Sequence, residues 1–267
     1  MKVFDLQADQ EKLYFVCLED WSSELAAAGP HKKEWYRKMQ PRGLRVKVAT
    51  DNKGEVGGMI QYGPIENLPL EGRNLYYVYC IWVHDHKEGR GNFQHRGMGT
   101  ALLQAAEEDV RDLGSDGLVV WGMALPFFMR AAWFRKHGYA TVDRDGIARL
   151  LWKPFNPEAE PPKWIKHRRK PPKINDKVHV TCLKNGWCPA QNLTYERARR
   201  AAAEFGEQVA FTGIDTFERS TAAQWGLTDG LFIDGKQVGY GPPPSYEKIK
   251  RAIGKRAAKL RPAPHRP

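Results

Sequence analysis

Two glycines one residue apart, Gly97 and Gly99, sit in the stretch "FQHRGMGTALLQ" (93–104) and run into an apolar, helix-favouring segment. The first turn of a helix leaves backbone N–H groups without partners and carries partial positive charge. Glycines before and at such a start let the backbone take positive φ and approach an anion closely. The spacing therefore fits a diphosphate cradle, although a lone Gly-x-Gly also serves simply to turn a chain. Context favours the cradle, because the strand-like run "LYYVYCIWV" (75–83) precedes it and "GMGTALLQAAEEDVRDLG" (97–114) reads as the helix after it.

Proton-handling residues cluster around the same strand. Cys80, Tyr77 and Tyr79 lie on it, and His84, Asp85 and His86 follow in the loop "HDHKEGRGNFQH" (84–95). Sheet packing is the plainer role for the tyrosines, and Cys80 reads either as a small buried apolar residue or as a thiol near an acyl group. The histidines and carboxylates of the loop match no known ligand spacing, so no metal is expected. Far downstream, "NGWCPAQN" (185–192) places Cys188 at a helix start, where the dipole lowers a thiol pKa. Four cysteines, at 17, 80, 182 and 188, are too scattered for a disulfide scaffold, and a Cys182–Cys188 bond is not expected.

The elements that must position these residues form an α/β pattern. "KVFDL", "LRVKVAT" and "EVGGMIQYG" read as strands, and residues 10–39 as helix with a break at Gly29-Pro30. "GLVVWGMA" reads as a buried strand, and "PFFMRAAWFRKHG" as a helix opened by Pro126 and closed by Gly138. "YATVD" and "ARLLWKPF" complete the first part. The stretch 156–175 has the proline- and charge-rich composition of a stiff linker, which Trp164 and Ile165 could pin to a domain surface. Beyond it the order reads βαβαββα, with Asp234-Gly235 turning a hairpin.

Gln94-His95-Arg96-Gly97-Met98-Gly99 fits Gln/Arg-x-x-Gly-x-Gly/Ala. With the valine-ended strand before it, the aromatic-ended helix after it and the Gly138-Tyr139 pair, residues 1–155 resemble the GNAT acyltransferases. That resemblance implies a GNAT fold, a mixed and splayed β-sheet with flanking helices, and acetyl-CoA (acyl-CoA) as cosubstrate. It implies that Gln94, His95, Arg96, Gly97, Met98, Gly99 and Thr100 hold the CoA diphosphate, and that Ile81, Trp82 and Val83 line the pantetheine arm. Two positions depart from the family's pattern: Phe134 stands where a tyrosine acid is usual, and Cys80 where a carboxylate base is usual. Cys80, His84 and Tyr79 are the catalytic candidates that remain.

The second part resembles a smaller thioredoxin-like α/β domain, with Cys188 as a possible thiol site. Gln191 replaces the partner cysteine three residues on, so two-cysteine redox chemistry is not expected. The whole is similar to the YoaP-like acetyltransferases: a GNAT domain at 1–155, a basic linker at 156–175, a thioredoxin-like domain at 176–256 and a basic tail at 257–267. The expected activity is N-acyl transfer to an unidentified amine. The alternative is a CoA-sensing or thiol-handling module that uses Cys188.

Charge sets the remaining bounds. Residues 1–155 carry 21 Lys and Arg against 20 Asp and Glu, whereas residues 156–267 carry 21 against 11. No aromatic-interleaved basic motif accompanies that excess, so it reads as solvated charge and no nucleic-acid partner is expected. No long apolar run and no signal-like amino terminus occur, so no membrane association is expected and the setting is read as cytoplasmic.

Overall fold

The computed structural model describes all residues except 126–127, 167–168, 174–175, 240–241 and 261–267. Pro126, expected to open a helix, and most of the basic tail lie outside the described residues. The chain forms two compact units, Met1–Ile165 and Lys166–Pro267.

The first unit runs β1 (Lys2–Asp5), α1 (Glu11–Phe15), α2 (Ser23–Met39), β2 (Arg45–Thr50), β3 (Val56–Pro64), β4 (Leu70–Glu71), β5 (Leu75–Val83) and α3 (Met98–Asp112). It continues with β6 (Gly117–Met123), α4 (Ala131–Lys136), β7 (Ala140–Asp145), β8 (Ala148–Pro154) and β9 (Lys163–Trp164). Seven strands make one sheet in the order β1-β2-β3-β5-β6-β8-β7. Every neighbouring pair is antiparallel except β5 and β6.

That parallel pair is short. Leu75–Val78 align with Gly117–Val120, and then the strands part, although β5 continues to Val83 and β6 to Met123. At the same place the register of β5 against β3 slips: Tyr62 faces Val78 and Gln61 faces Cys80, which leaves Tyr79 as an extra residue. A bulge of this kind bends its strand and sharpens its twist. The sheet is therefore splayed where β5 bulges.

Helix α3 covers one face. Met98, Leu102, Leu103, Ala106 and Val110 follow helical spacing and pack with Ile60, Tyr62, Val78, Leu118 and Val120. Alternation along β3 sends Met59 and Gln61 to the opposite face, which α1 and α2 cover: Tyr14 donates a hydrogen bond to Gln61 (2.7 Å), and Trp35 meets Tyr79 edge-on (5.1 Å between rings).

Two helical expectations need correction. The break in residues 10–39 lies at Cys17 and Leu18, with φ of 51° and 68°, whereas α2 runs unbroken through Gly29-Pro30. Proline removes one backbone hydrogen bond there, and the buried stripe Leu25, Ala28, Gly29, Lys32, Trp35, Tyr36 and Met39 outweighs that loss. Helix α4 is also shorter than expected, starting only at Ala131. Met129 and Arg130 lie beside β6 instead, where Met123 N–H donates to the Met129 carbonyl (2.8 Å). Trp164 and Ile165 do pin the linker: β9 pairs with β4, and Ile165 N–H donates to the Pro69 carbonyl (3.1 Å).

The second unit runs β10 (Val178–Lys184), α5 (Pro189–Ala203), β11 (Val209–Asp215), α6 (Arg219–Trp225), β12 (Gly230–Ile233), β13 (Lys236–Gln237) and α7 (Tyr246–Ala257). Its sheet order is β11-β10-β12-β13, with β10 and β11 parallel and the other pairs antiparallel. Asp234 and Gly235 both take positive φ in the hairpin turn, as the Asp-Gly pair predicts.

One polar anchor ties α3 to the sheet. Asp109 accepts from Arg45 Nη2 (2.7 Å) and from the Tyr62 hydroxyl (2.7 Å), with Lys47 Nζ at 3.6 Å. Burial works to raise its pKa, but these donors prevail and hold it below the usual carboxylate range. Asp109→Asn is expected to cost about 1–2 kcal/mol at neutral pH. Because a depressed carboxyl stabilises only while ionised, the gap from wild type should close as pH falls below about 4. Denaturant titrations at pH 7 and pH 3 measure it, and an undiminished gap at pH 3 would contradict this account.

Candidate functional site

The glycine motif forms the start of α3 as an open turn. Gly97 is the N-cap with φ 81° and no side-chain cap, and the first turn holds no acidic residue. A Cβ on Gly97 would meet nothing within 4 Å, whereas one on Gly99 would lie 3.4 Å from the Trp133 ring. So Gly97 supplies backbone conformation and Gly99 close packing. His95 also takes positive φ (60°).

Neighbouring groups hold this turn in place. Phe93 is buried against Gly57, where a Cβ would fall 2.3 Å from the ring, and its N–H donates to the His84 carbonyl (2.8 Å). The guanidinium of Arg96 lies 5.2 Å from the centre of the Phe93 ring. His137 Nδ1 lies 2.9 Å from the Trp133 carbonyl, which only accepts, so Nδ1 carries the proton. Its Nε2 then accepts from the Thr100 hydroxyl (3.0 Å). Gln94 Nε2 donates to Asp85 (3.3 Å), linking the motif to the loop before it.

The splay lies beside this turn. His84 N–H donates to Gly57 on β3, so by alternation the N–H groups of Ile81 and Val83 face the diverging edge. The Tyr79 carbonyl faces it too, accepting from Trp121 Nε1 (2.9 Å). Phe128 bridges the aromatic wall, 5.7 Å from the Trp82 ring and 5.9 Å from Trp121.

The three catalytic candidates are not gathered at one surface. Tyr79 and Cys80 both lie buried at the bulge, and burial holds the Tyr79 phenol well above its ordinary pKa. His84 is fully buried, with Nδ1 2.7 Å from the Gly91 carbonyl, which assigns the proton to Nδ1. Its Nε2 faces Trp21 Nε1 at 3.4 Å and accepts that donor. Both nitrogens are engaged, so His84 clamps its loop and offers no lone pair to a substrate.

A different group does stand on the surface between the α1–α2 turn and the His84 loop. His86 Nε2 lies 3.5 Å from Asp85 and 3.8 Å from Glu19, both carboxylates being partly exposed. Burial raises the Glu19 pKa; His86 and His84 oppose this and the Asp85 charge adds to it. Trp21, half-exposed, stacks edge-on with His86 (5.6 Å), and Trp82 lies 6.2 Å away. Glu19 was not singled out from sequence, because nothing local in "CLEDWSS" marks it.

In the second unit Cys188 is the N-cap of α5, partly buried, and none of the four cysteines is bridged. Asp229 accepts from Asn185 N–H (3.3 Å) and the Thr228 hydroxyl (3.0 Å), yet burial pushes its pKa to about 6. It lines a cavity of about 160 Å³ together with Gln191, Thr194 and Leu231. Among the described residues, no three His, Cys, Asp or Glu are grouped to hold a metal ion. Among the described residues, no helix is long and apolar enough to cross a membrane.

Residues 8–139 match the acetyltransferase (GNAT) family. The amino-terminal unit carries a GNAT acetyltransferase domain. Among solved structures the chain is similar to a GNAT-family acetyltransferase from Desulfovibrio desulfuricans (21% identity, TM-score 0.43, 57% of this chain and 98% of that one). It is also similar to the PaiA N-acetyltransferase from Thermoplasma acidophilum in complex with coenzyme A (16%, TM-score 0.42, 58% and 100%). A third is a GNAT acetyltransferase from Brucella melitensis in complex with acetyl-CoA (15%, TM-score 0.41, 60% and 90%). Among curated proteins, none matches this chain.

Two outcomes follow from this geometry. Gly57→Ala should displace Phe93 and cost roughly 1–3 kcal/mol, read as a lowered thermal midpoint; an unchanged midpoint would contradict the packing argument. Asp229 keeps its proton to higher pH folded than unfolded, so its burial weakens folding as pH rises from about 4 to 6. Asp229→Asn should therefore gain stability relative to wild type across that window and keep the gain above it, with a constant difference at pH 4 and pH 8 counting against this assignment.

Proposed function

We propose that the GNAT domain transfers an acetyl group from acetyl-CoA to an amine, with the diphosphate held by backbone N–H groups between His95 and Thr100. The observation that carries this reading is the open, acid-free N-terminus of α3 beside the diverging edge of β5. A diphosphate suits unpartnered N–H groups and the positive helix end, and Arg96 adds charge at the rim. Gln94 and Met98 shape the turn. The N–H groups of Ile81 and Val83 are available to an extended pantetheine arm as an added strand would use them, with Trp82 walling its far side.

Transfer proceeds by attack of the neutral amine on the thioester carbonyl and departure of the thiolate. Positioning supplies much of the barrier reduction, and a backbone N–H at the splayed edge can steady the oxyanion. Phe134 has no proton to give, so the thiolate takes its proton through water. Glu19, with its raised pKa and its neighbour His86, is suited to take the amine's proton, directly or through one water. Cys80 and Tyr79 then serve to shape the bulge.

The second unit supports a second reading for its own part of the chain. Its βαβαββα order, its sheet order and Cys188 at the start of α5 support a thioredoxin-like domain that presents one thiol at a helix start. Cys188 there handles thiol compounds, or holds an acceptor, without a resolving cysteine.

CoA release with a panel of amines tests the main reading. Wild type should release CoA with at least one amine. Glu19→Gln should lower kcat tenfold or more, about 1.4 kcal/mol of transition-state stabilisation, with the KM for acetyl-CoA unchanged. Equal kcat in the variant would remove Glu19 from the mechanism.

A further inference from the structure

Lys32 is fully buried (0% exposed) in the middle of the apolar stripe of α2, four residues after Ala28 and three before Trp35. A buried ammonium ordinarily has a carboxylate or several oxygen acceptors, because leaving water without them is costly. Among the described residues, the only hydrogen-bond acceptors that Nζ reaches are sulfurs, Cys17 Sγ at 3.3 Å and Met59 Sδ at 4.0 Å. Its remaining polar contact is the face of the Tyr14 ring, 3.8 Å from Nζ to the centroid. Cys17 itself is less enclosed than Lys32 and sits in the left-handed turn between α1 and α2. The pair thus joins an amine nitrogen, shielded from water, to a thiol in direct contact with it. Burial raises the Cys17 thiol pKa, and adjacent Lys32 counteracts that by charge and by hydrogen bond.

We infer that Cys17 and Lys32 form a peroxide-driven modification site, closing a reversible covalent nitrogen–sulfur link between the α1–α2 turn and α2. Hydrogen peroxide oxidises the thiol to a sulfenic acid, releasing one water. Lys32, having passed its ammonium proton to solvent, then attacks the sulfur through its neutral nitrogen: the N–S bond forms, the S–O bond breaks, and the hydroxyl leaves as water with a proton from the amine. One peroxide is consumed, two waters are released, and the protein loses two hydrogens. The flexible four-carbon stem of lysine allows Nζ to close the remaining distance. Two equivalents of an added thiol restore both groups and become a disulfide. The link fixes the turn that carries Glu19 and Trp21, two and four residues beyond Cys17.

Peptide mapping after hydrogen peroxide treatment of the whole protein tests this. Remaining thiols are alkylated, and a protease cutting after glutamate is applied, which separates Cys17 from Lys32 at Glu19 and Glu24. The fragments bearing Cys17 and Lys32 are expected to stay joined, lighter by two hydrogens than their sum, and to part after dithiothreitol. Cys17→Ser and Lys32→Met should each abolish the joined species, and wild type alone suffices if either variant folds poorly. Fragments that separate, with Cys17 carrying added oxygens or paired to another cysteine, would overturn the inference.

Discussion

Parallel pairing between β5 and β6 stops after Val78, and the functional geometry of the first unit depends on that interruption. A fully paired β5 would spend its N–H groups on β6 and leave no edge for a ligand. The extra residue at Tyr79 bends β5 away at the point where pairing ends. The bulge is in turn held by what surrounds it: Trp35 and Tyr77 pack on Tyr79 from one side, and Trp121 donates to its carbonyl across the gap. The same divergence leaves the N–H groups of Ile81 and Val83 on the unpaired edge of β5.

Charge handling is divided between separate places. The start of α3 is built from backbone, with Gly97 as its cap and the Arg96 guanidinium over the Phe93 ring beside it. Glu19, Asp85 and His86 form a separate ionisable group, where burial and a neighbouring carboxylate raise the Glu19 pKa. His84, which looks like a base in sequence, is a structural clamp whose two nitrogens fix the loop to Gly91 and Trp21. The buried Lys32 is a third arrangement, an amine surrounded by sulfur and an aromatic face.

Local chemistry made the anion turn legible. Gly97 and Gly99, the strand before them and the stop at Gly114 are all short-range signals, and α3 runs Met98–Asp112 accordingly. Gly29-Pro30 misled because tertiary burial of α2 overrides a local breaker, and the true break at Cys17-Leu18 contains no glycine or proline. Glu19 escaped notice because its partner His86 is 67 residues away and only the folded turn brings them together. The pairing of β9 with β4 is of the same kind, although Trp164 in a charged linker hinted at an anchor.

A structure of the protein crystallised with acetyl-CoA would test the central claim most directly. The account predicts the diphosphate on the backbone N–H groups of residues 95–100, and the pantetheine arm extended along Ile81 and Val83 in the gap between β5 and β6. Acetyl-CoA bound elsewhere, or a gap that stays closed by Trp121 and Phe128 with the ligand excluded, would contradict it.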